Sequence, residues 1–485
     1  MRVTVSQPGQ LLDILRKEGI AVSADCGGRG VCGKCRVKII KGVFFDKSEN
    51  DRPLPAGGTA LACRTFCAAA GGCIEVSDDV VRESSKTTRK INRADVALDV
   101  GTTTLEAALV DAATGETAAT HTSLNPQRGF GADVMSRISA SADYLDEMRS
   151  ALLLAVAGII RDLKSAAEYD GAVRRLAVTG NTTMIHIFRG VSPAGLGTAP
   201  FTPVFLAEQH DAGSEYGLPV DEVIFPASAS AFIGSDITTG VLSCGLAEHA
   251  EPVLFVDAGT NSEMVLFSGT AHGNQFMATS AAAGPALEGA GISCGTGGIP
   301  GAISTVSGVN GALSFETIGH QPPRGICGSG LVDLIAVLLD AKIIDTTGFL
   351  KDAPYPISKA DALFLTQKDV RAFQLAKAAI SAGIETLVEA SGLHPSELSQ
   401  IVVAGGLGSR IREKSALRTG LFPPAFADKT VCAGNTALNG AVACLAGNGF
   451  LDRVAATAAS CRILNLNDSA AFPQKFMREM SFRLN

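Results

Sequence analysis

Apolar and polar positions divide this 485-residue chain into two kinds of region. Near the start, residues 2–6 alternate as a strand buried on one face should, and residues 10–17 carry apolar side chains at helical spacing. Residues 36–40 and 74–77 read as further short strands. Farther along, the strands are continuous apolar runs that break abruptly into glycine turns. One is Val96-Ala-Leu-Asp99-Val-Gly101-Thr102-Thr103-Thr104, followed by a second run at 105–110. Another is Leu254-Phe-Val-Asp257-Ala-Gly259-Thr260-Asn261-Ser262, followed by 263–267. A third, Gln400-Ile-Val-Val-Ala404, opens into Gly405-Gly406-Leu-Gly408. Residues 151–160 and 370–390 read as helices, the latter packing one lobe and carrying no assigned chemistry.

The first two breaks share Asp-x-Gly-Thr between apolar strands, 158 residues apart. A tight turn rich in N–H and O–H groups holds phosphate, and a carboxylate at its base holds Mg²⁺ through water. Asp99 and Asp257 are the candidate acids. Gly101, Thr102, Thr103 and Thr104, with Gly259, Thr260 and Asn261, are the candidate phosphate clamps. Neither turn is a Walker A loop, because Gly-Lys-[Ser/Thr] is absent. Two copies in equivalent contexts imply a duplicated α/β unit with two facing phosphate loops. Gly405, Gly406 and Gly408 form a turn against which a flat nucleoside would lie. Asn181 reads equally as a phosphate-side group or a helix N-cap. His186 reads as a satisfied core histidine, and Glu288 as a surface or packing residue.

Cysteine usage adds a second chemistry. Six of the twelve cysteines lie in the first 73 residues. Cys26, Cys32, Cys35 and Cys63 are spaced C-x5-C-x2-C-x27-C. Plant-type [2Fe–2S] centres use C-x4-C-x2-C and a distant fourth thiolate, the same plan with one loop residue fewer. Gly27, Gly28, Gly30 and Gly33 allow the loop to curl and bring amides close to sulfur. Zinc is the chemical alternative, but zinc ribbons present two C-x2-C knuckles and one is present here. Cys67 and Cys73 read as unliganded neighbours, and the scattered six as small buried hydrophobes. The order of strands and helix around the cysteines is that of a β-grasp ferredoxin domain.

Composition then excludes classes. With 46% hydrophobic residues the chain has ample material for a core. A formal charge of −7 argues against nucleic acid as a partner. No apolar run is long enough to span a bilayer and no export signal opens the chain, so the expectation is a cytoplasmic protein with no membrane partner.

The aspartate hairpins and the glycine turn resemble the acetate and sugar kinase, heat-shock chaperone and actin superfamily. Taken with the cysteine module, the chain resembles the ATP-dependent reductive activators of corrinoid proteins. Further stretches carry that resemblance: Asn125-Pro-Gln127, Gly131-Ala-Asp133-Val-Met-Ser-Arg137, Thr179-Gly180-Asn181-Thr182-Thr-Met184, Ala283-Gly284-Pro-Ala-Leu-Glu288-Gly-Ala-Gly291-Ile-Ser-Cys294, Cys327-Gly328-Ser-Gly330 and Gln374-Leu-Ala-Lys377-Ala. Larger members carry a middle domain between ferredoxin and ATPase. Only a short polar linker stands here, so the expectation is a short form lacking that domain.

The resemblance implies a multidomain α/β and α+β chain. A [2Fe–2S] β-grasp ferredoxin domain occupies 1–77 and a linker 78–94. A duplicated RNase H-like ATPase follows, with lobes at 95–250 and 251–485. It implies that Cys26, Cys32, Cys35 and Cys63 hold the cluster, and that one electron passes to the inactive Co(II) corrinoid of a methyltransferase system, restoring Co(I). Asp99 and Asp257 would position Mg²⁺ and the attacking water, with lobe closure around ATP as the switch. A plant-type cluster near roughly −400 mV is not negative enough for easy transfer to that metal. Each ~60 mV is a tenfold change in equilibrium constant, a deficit that coupling to ATP covers. An upstream low-potential donor is implied, and a homodimer is allowed. Two alternatives stay open: an iron–sulfur electron-transfer ATPase for another low-potential acceptor, and a non-hydrolysing sensor or scaffold.

Overall fold

The computed structural model describes residues 2–483 except Gly19, Ala21, Ser23, Asp25, Cys26, Val31, Cys32, Lys34, Asn50, residues 77–90, Asn310, Gly311 and Ser409. The expected linker at 78–94 therefore falls largely outside the described residues. Two compact units divide the chain. One comprises residues 1–227 with 441–450, the other 228–440 with 451–485.

The first unit opens with a small β-rich module. Its four-stranded antiparallel sheet runs in the order Arg2–Thr4, Cys73–Val76, Arg36–Lys41, Thr59–Leu61. Helix α1 (Leu11–Lys17) buries Leu11, Leu12, Ile14 and Leu15 with Val37, Ile39 and Ile74, as its helical spacing predicts. A six-stranded sheet follows, ordered Thr117–Leu124, Thr104–Asp111, Ala94–Val100, Val173–Gly180, Val220–Phe225, Gln209–Ala212. Ala94–Val100 is buried on both faces except at Asp99, which explains its unbroken apolar run. Helix α2 (Val134–Ala166) starts at a capping box in which Asp133 Oδ1 accepts from the Ser136 amide at 2.7 Å. It kinks at Tyr144 (φ −133°, ψ 23°) and contains the expected 151–160 segment. Helix α3 (Thr182–Arg189) follows the strand Val173–Gly180 and ends at Gly190, φ 73°.

The second unit is built on another six-stranded sheet: Thr430–Gly434, Gln400–Ala404, Val253–Ala258, Ser262–Phe267, Phe276–Ala281, Arg462–Ile463. In each unit a three-stranded antiparallel meander is extended on its first strand by two parallel strands. That repetition is the structural counterpart of the repeated Asp-x-Gly-Thr hairpin. Helix α4 (Ser235–Ser243), α5 (Gly328–Asp340) and α6 (Gln367–Ala390) belong to this unit, and α6 packs its core through Val370, Phe373, Ile380, Ile384 and Leu387.

Most scattered cysteines are buried or half-buried, but Cys432 is exposed, because it lies on the outer strand of its sheet. His186 is fully buried. Its Nδ1 lies 2.7 Å from Thr182 O, its Nε2 accepts from the Val204 amide at 3.1 Å, and Phe205 stacks on the ring at 4.3 Å. It is a core histidine, held neutral by burial.

One buried charge is paired with an opposite one. Asp95 is fully buried and accepts from Arg175 Nη2 at 2.5 Å, while the same Nη2 donates to Leu445 O at 2.6 Å and so fastens residues 441–450 to the sheet. Removing one partner of such a pair leaves the other charge uncompensated. Asp95→Ala should therefore lower unfolding free energy by about 3 kcal/mol, read from urea melts; a loss below ~1 kcal/mol would show the pair to be dispensable.

Candidate functional site

The cysteine module brings two predicted ligands together by strand register. Cys35 immediately precedes Arg36–Lys41 and Cys63 follows Thr59–Leu61 by one residue, and the antiparallel pairing of Arg36 with Leu61 sets the two thiols side by side. Their sulfurs are 3.3 Å apart and both residues are buried. The Ala62 amide donates to Cys35 O at 2.7 Å, and Gln10 Nε2 to Cys63 O at 2.8 Å. Cys26 and Cys32 lie outside the described residues. The loop that carries them is gripped by arginines: Arg64 Nη2 donates to Gly30 O at 2.5 Å, and Arg36 Nε to Gly33 O at 3.1 Å. Gly30 sits at φ 76°, and a Cβ there would lie 2.9 Å from Arg64 Nε, so glycine is required on both counts. A buried, closely spaced thiol pair fits a soft metal centre. Cys67 points elsewhere: its Sγ donates to Ala69 O at 3.0 Å, and burial pushes its thiol pKa up.

The first Asp-x-Gly-Thr turn lies between Ala94–Val100 and Thr104–Asp111. Asp99 opposes Glu106 across the hairpin. A Cβ on Gly101 would fall 2.8 Å from Thr104 O, so the turn closes only with glycine. The turn's carbonyls are all engaged: Asn125 Nδ2 donates to Gly101 O at 2.8 Å, Arg137 Nη2 to Thr102 O, and the Asn125 amide to Thr103 O at 2.9 Å. Asn181 is a helix N-cap, and its amide also reaches the first turn. Its Oδ1 caps α3 by accepting from the Met184 amide at 2.9 Å, and its Nδ2 donates to Thr102 Oγ1 at 3.2 Å.

The second turn has the same backbone plan and different chemistry. Asp257 opposes Glu263 across its hairpin and lies in register with Ala404 of the parallel neighbour. A Cβ on Gly405 (φ 75°) would come within 2.3 Å of Asp257 Oδ1, so the glycine turn rests directly on the carboxylate. Glu288, read from sequence as a surface or packing residue, accepts from the Thr260 amide at 2.6 Å, because the loop at 285–288 folds back against the turn. Thr260 Oγ1 is buried and has no hydrogen-bond partner among the described residues.

Two further acids join Asp257 that sequence reasoning missed. Burial, then the Asp257 charge, raises Asp236 at the start of α4 to about 7. Burial and then Glu288 raise Asp257 to about 6. Glu263 is pushed well up by burial, then by Asp236 and Asp257, although Ser280 Oγ donates to it at 3.1 Å. The signal for Asp236 was an acid just after Gly234 at the head of an apolar helix. Glu263 looked like an ordinary strand residue. Among the described residues, no three His, Cys, Asp or Glu side chains are grouped to hold a metal ion directly. The carboxyls and the unpartnered Thr260 hydroxyl instead suit a hydrated Mg²⁺, which usually keeps several of its waters.

Family models match the chain in order. The 2Fe-2S iron-sulfur cluster binding domain matches residues 1–68, the RACo middle region 94–249, and the C-terminal ASKHA domain of RACo 251–484. The corrinoid activation enzyme RamQ of Eubacterium limosum is 34% identical over 361 residues, 68% of this chain and 60% of that protein. The [Co(II) methylated amine-specific corrinoid protein] reductase of Methanosarcina barkeri is 27% identical over 392 residues, 71% and 68% of the two chains. The alignment thus spans about 60% of the length of RamQ. A solved reductive activator for a corrinoid, iron-sulfur protein superposes with TM-score 0.75 at 26% identity, covering 99% of this chain and 96% of that one.

These matches correct one expectation. The chain is not a short form: the RACo middle region is present. It is the segment with the first Asp-x-Gly-Thr hairpin, which reads from sequence as the opening of an ATPase lobe and so hides the middle region within it. Among the described residues, no helix is long and apolar enough to cross a membrane.

The acid group has a measurable consequence. A carboxyl ionises near ~4 when unfolded, whereas Asp236 in the fold does so at about 7. Between those values the folded state binds more protons, so this group makes stability fall as pH rises through the window, with the full loss reached above it. Without nucleotide, Asp236→Asn should leave Tm at pH 4 nearly unchanged and raise it at pH 8 by roughly 2–4 °C. Equal shifts at both pH values would show that Asp236 is not held protonated by its surroundings.

Proposed function

We propose that this chain is an ATP-dependent reductive activator that passes one electron to the Co(II) corrinoid of a methyltransferase system. The observation that carries the reading is the buried Cys35–Cys63 pair, 3.3 Å apart, in a chain whose later segments match the RACo middle region and ASKHA domain. The ferredoxin module at 1–77 has the β-grasp plan and 78–94 is a linker. Residues 95–250, the segment that the RACo middle region matches, and 251–485 would be the two lobes of a duplicated RNase H-like fold, a reading supported by the shared strand order of their sheets.

Cys26, Cys32, Cys35 and Cys63 would hold the [2Fe–2S] cluster, which supplies low-potential one-electron donation when bound. Arg64 and Arg36 fix the carbonyls of the loop that carries three of these ligands, which limits reorganisation around the thiolates. Gly101, Thr102, Thr103 and Thr104 form one phosphate loop and Gly259, Thr260 and Asn261 the other. Asp99 and Asp257 orient water, and Asp257 would hold hydrated Mg²⁺. Gly405, Gly406 and Gly408 take the nucleoside, a placement favoured by the rest of Gly405 on Asp257. The partner is a corrinoid protein, and a methylated-amine corrinoid protein is the first to test, because one relative is named as the reductase of such a protein.

Anaerobic reconstitution followed by dithionite should give a reduced [2Fe–2S] EPR signal, and a chain without it cannot be this activator. Reduced protein with MgATP should bleach the Co(II) absorbance of the corrinoid protein. Unchanged absorbance with an intact cluster would place the acceptor elsewhere. Asp257→Ala should reduce ATP turnover at least ~100-fold and leave the cluster signal intact; wild-type turnover would remove Asp257 from the site.

A further inference from the structure

Arg16 of α1 is buried and makes no use of its charge against a buried acid. Instead its guanidinium reads main-chain carbonyls of two loops. Nε and Nη2 both donate to Gly129 O, at 2.8 and 2.6 Å, and Nη2 also donates to Gly27 O at 3.1 Å. Nη1 meets the half-exposed Asp13 at 3.3 Å. The fork lies against two rings, 5.1 Å from the Phe130 centroid and 5.4 Å from that of Tyr144. Beside it the Ala24 amide donates to Arg128 O at 3.2 Å, and the Gly27 amide to Ala24 O at 2.7 Å. Gly27 directly follows Cys26 in the chain.

The segment that Arg16 grips is fastened at its other end to the first Asp-x-Gly-Thr turn. Asn125 holds Gly101 O and Thr103 O, and its Oδ1 accepts from the Gln127 amide at 2.9 Å, closing the 3-10 turn Pro126–Gly129. Gln127 is fully buried and ties that turn to Met148 O at 3.1 Å. A second route runs parallel. Arg137, also fully buried, donates to Thr102 O from the first turns of α2, and Tyr144 of the same helix stands at its kink against Arg16.

We propose that Arg16 is a positioning residue that couples the 101–104 turn to the cysteine loop through residues 125–130. The proposal rests on reading 101–104 as a phosphate loop. The path is short, and at each step the side chain of Asn125 or Arg16 meets a main-chain atom. A nucleotide that shifts the Gly101 or Thr103 carbonyl must move Asn125, the turn 126–129 and the Gly129 carbonyl, or else break one of these bonds. Arg16 carries that displacement to Gly27 and so to the backbone beside Cys26. Arginine is needed because one planar fork must satisfy two carbonyls at fixed angles, which a lysine point charge does not do.

The test uses the full-length chain with its cluster reconstituted anaerobically. Mant-ATP binding reports the nucleotide site. EPR g-values and the midpoint potential of the reduced cluster, with and without a saturating non-hydrolysable ATP analogue and Mg²⁺, report the coupling. Wild-type protein should show a nucleotide-dependent change in both EPR readouts. Arg16→Lys should bind mant-ATP within about threefold of wild type, load the same cluster content and lose that change. Asn125→Asp keeps the acceptor for Gln127 and the main-chain bond to Thr103 but sets a carboxylate oxygen against Gly101 O in place of the donor, so it disturbs the same path far from the cysteines and should lose the change as well. A wild-type cluster blind to nucleotide overturns the proposal, as does a response that survives either variant. If Arg16→Lys loads poorly, Asn125→Asp decides alone. Absence of mant-ATP binding to wild type is a separate result: it removes the phosphate-loop reading, and the coupling falls with it.

Discussion

Two carboxylates face each other across the second aspartate hairpin, and much of the second unit is arranged around that pairing. Antiparallel register places Asp257 opposite Glu263, and like charges directly opposite each other on a sheet are destabilising. Parallel register with Gln400–Ala404 then brings the Gly405 turn onto Asp257, so closely that no side chain fits there. Asp236 enters from the head of α4, and its carboxyl raises that of Glu263 further. The donors available are few: the Ile237 amide to Asp236 at 2.9 Å, Ser280 to Glu263, and the Thr260 amide to Glu288. They do not neutralise the group, so the acids retain protons above the usual range. A hydrated divalent cation arriving with a nucleotide would relieve the same repulsion, which links the electrostatics of the empty fold to the proposed chemistry.

The cysteine end obeys a different constraint, one of backbone geometry. Twenty-seven residues separate Cys35 from Cys63, yet their sulfurs approach to 3.3 Å because two short antiparallel strands end beside each other. Loop glycines then let arginines reach the carbonyls: Arg64 takes that of Gly30, Arg36 that of Gly33 and Arg16 that of Gly27.

What could be read from the sequence was local or repeated. The Asp-x-Gly-Thr turns, the glycine turn after 400–404 and the C-x5-C-x2-C loop are contiguous, and backbone sterics alone demand their glycines. Helix α1 and the long α6 were legible from apolar spacing. Residues that act across long separations were not. Glu288 reaches Thr260 only after the chain between them has formed a sheet. Asp236 and Glu263 lie 27 residues apart in apolar contexts that suggest nothing but packing. Arg16 and Arg137 stand in helices where arginine is ordinarily solvated, and only the fold shows them buried on carbonyls. The middle region was misread for the opposite reason: its hairpin was too legible, and claimed the whole segment for the ATPase.

The repeated hairpins are alike in topology and opposed in electrostatics. In the first unit the turn is surrounded by donors, since Asn125, Arg137 and Asn181 all give hydrogen atoms to it. In the second the turn lies among acids, and Glu288 accepts from the Thr260 amide. Duplication of a backbone therefore did not duplicate its electrostatics. A donor-rich turn favours negative oxygen, while an acid-rich turn favours a cation and the water it carries. The difference also explains where coupling can start. Guanidinium and amide donors fix carbonyl positions through directed bonds, so displacement at the first turn has somewhere to go. Repelling carboxylates transmit charge and protonation instead, and their influence stays within the second unit's own cluster of acids.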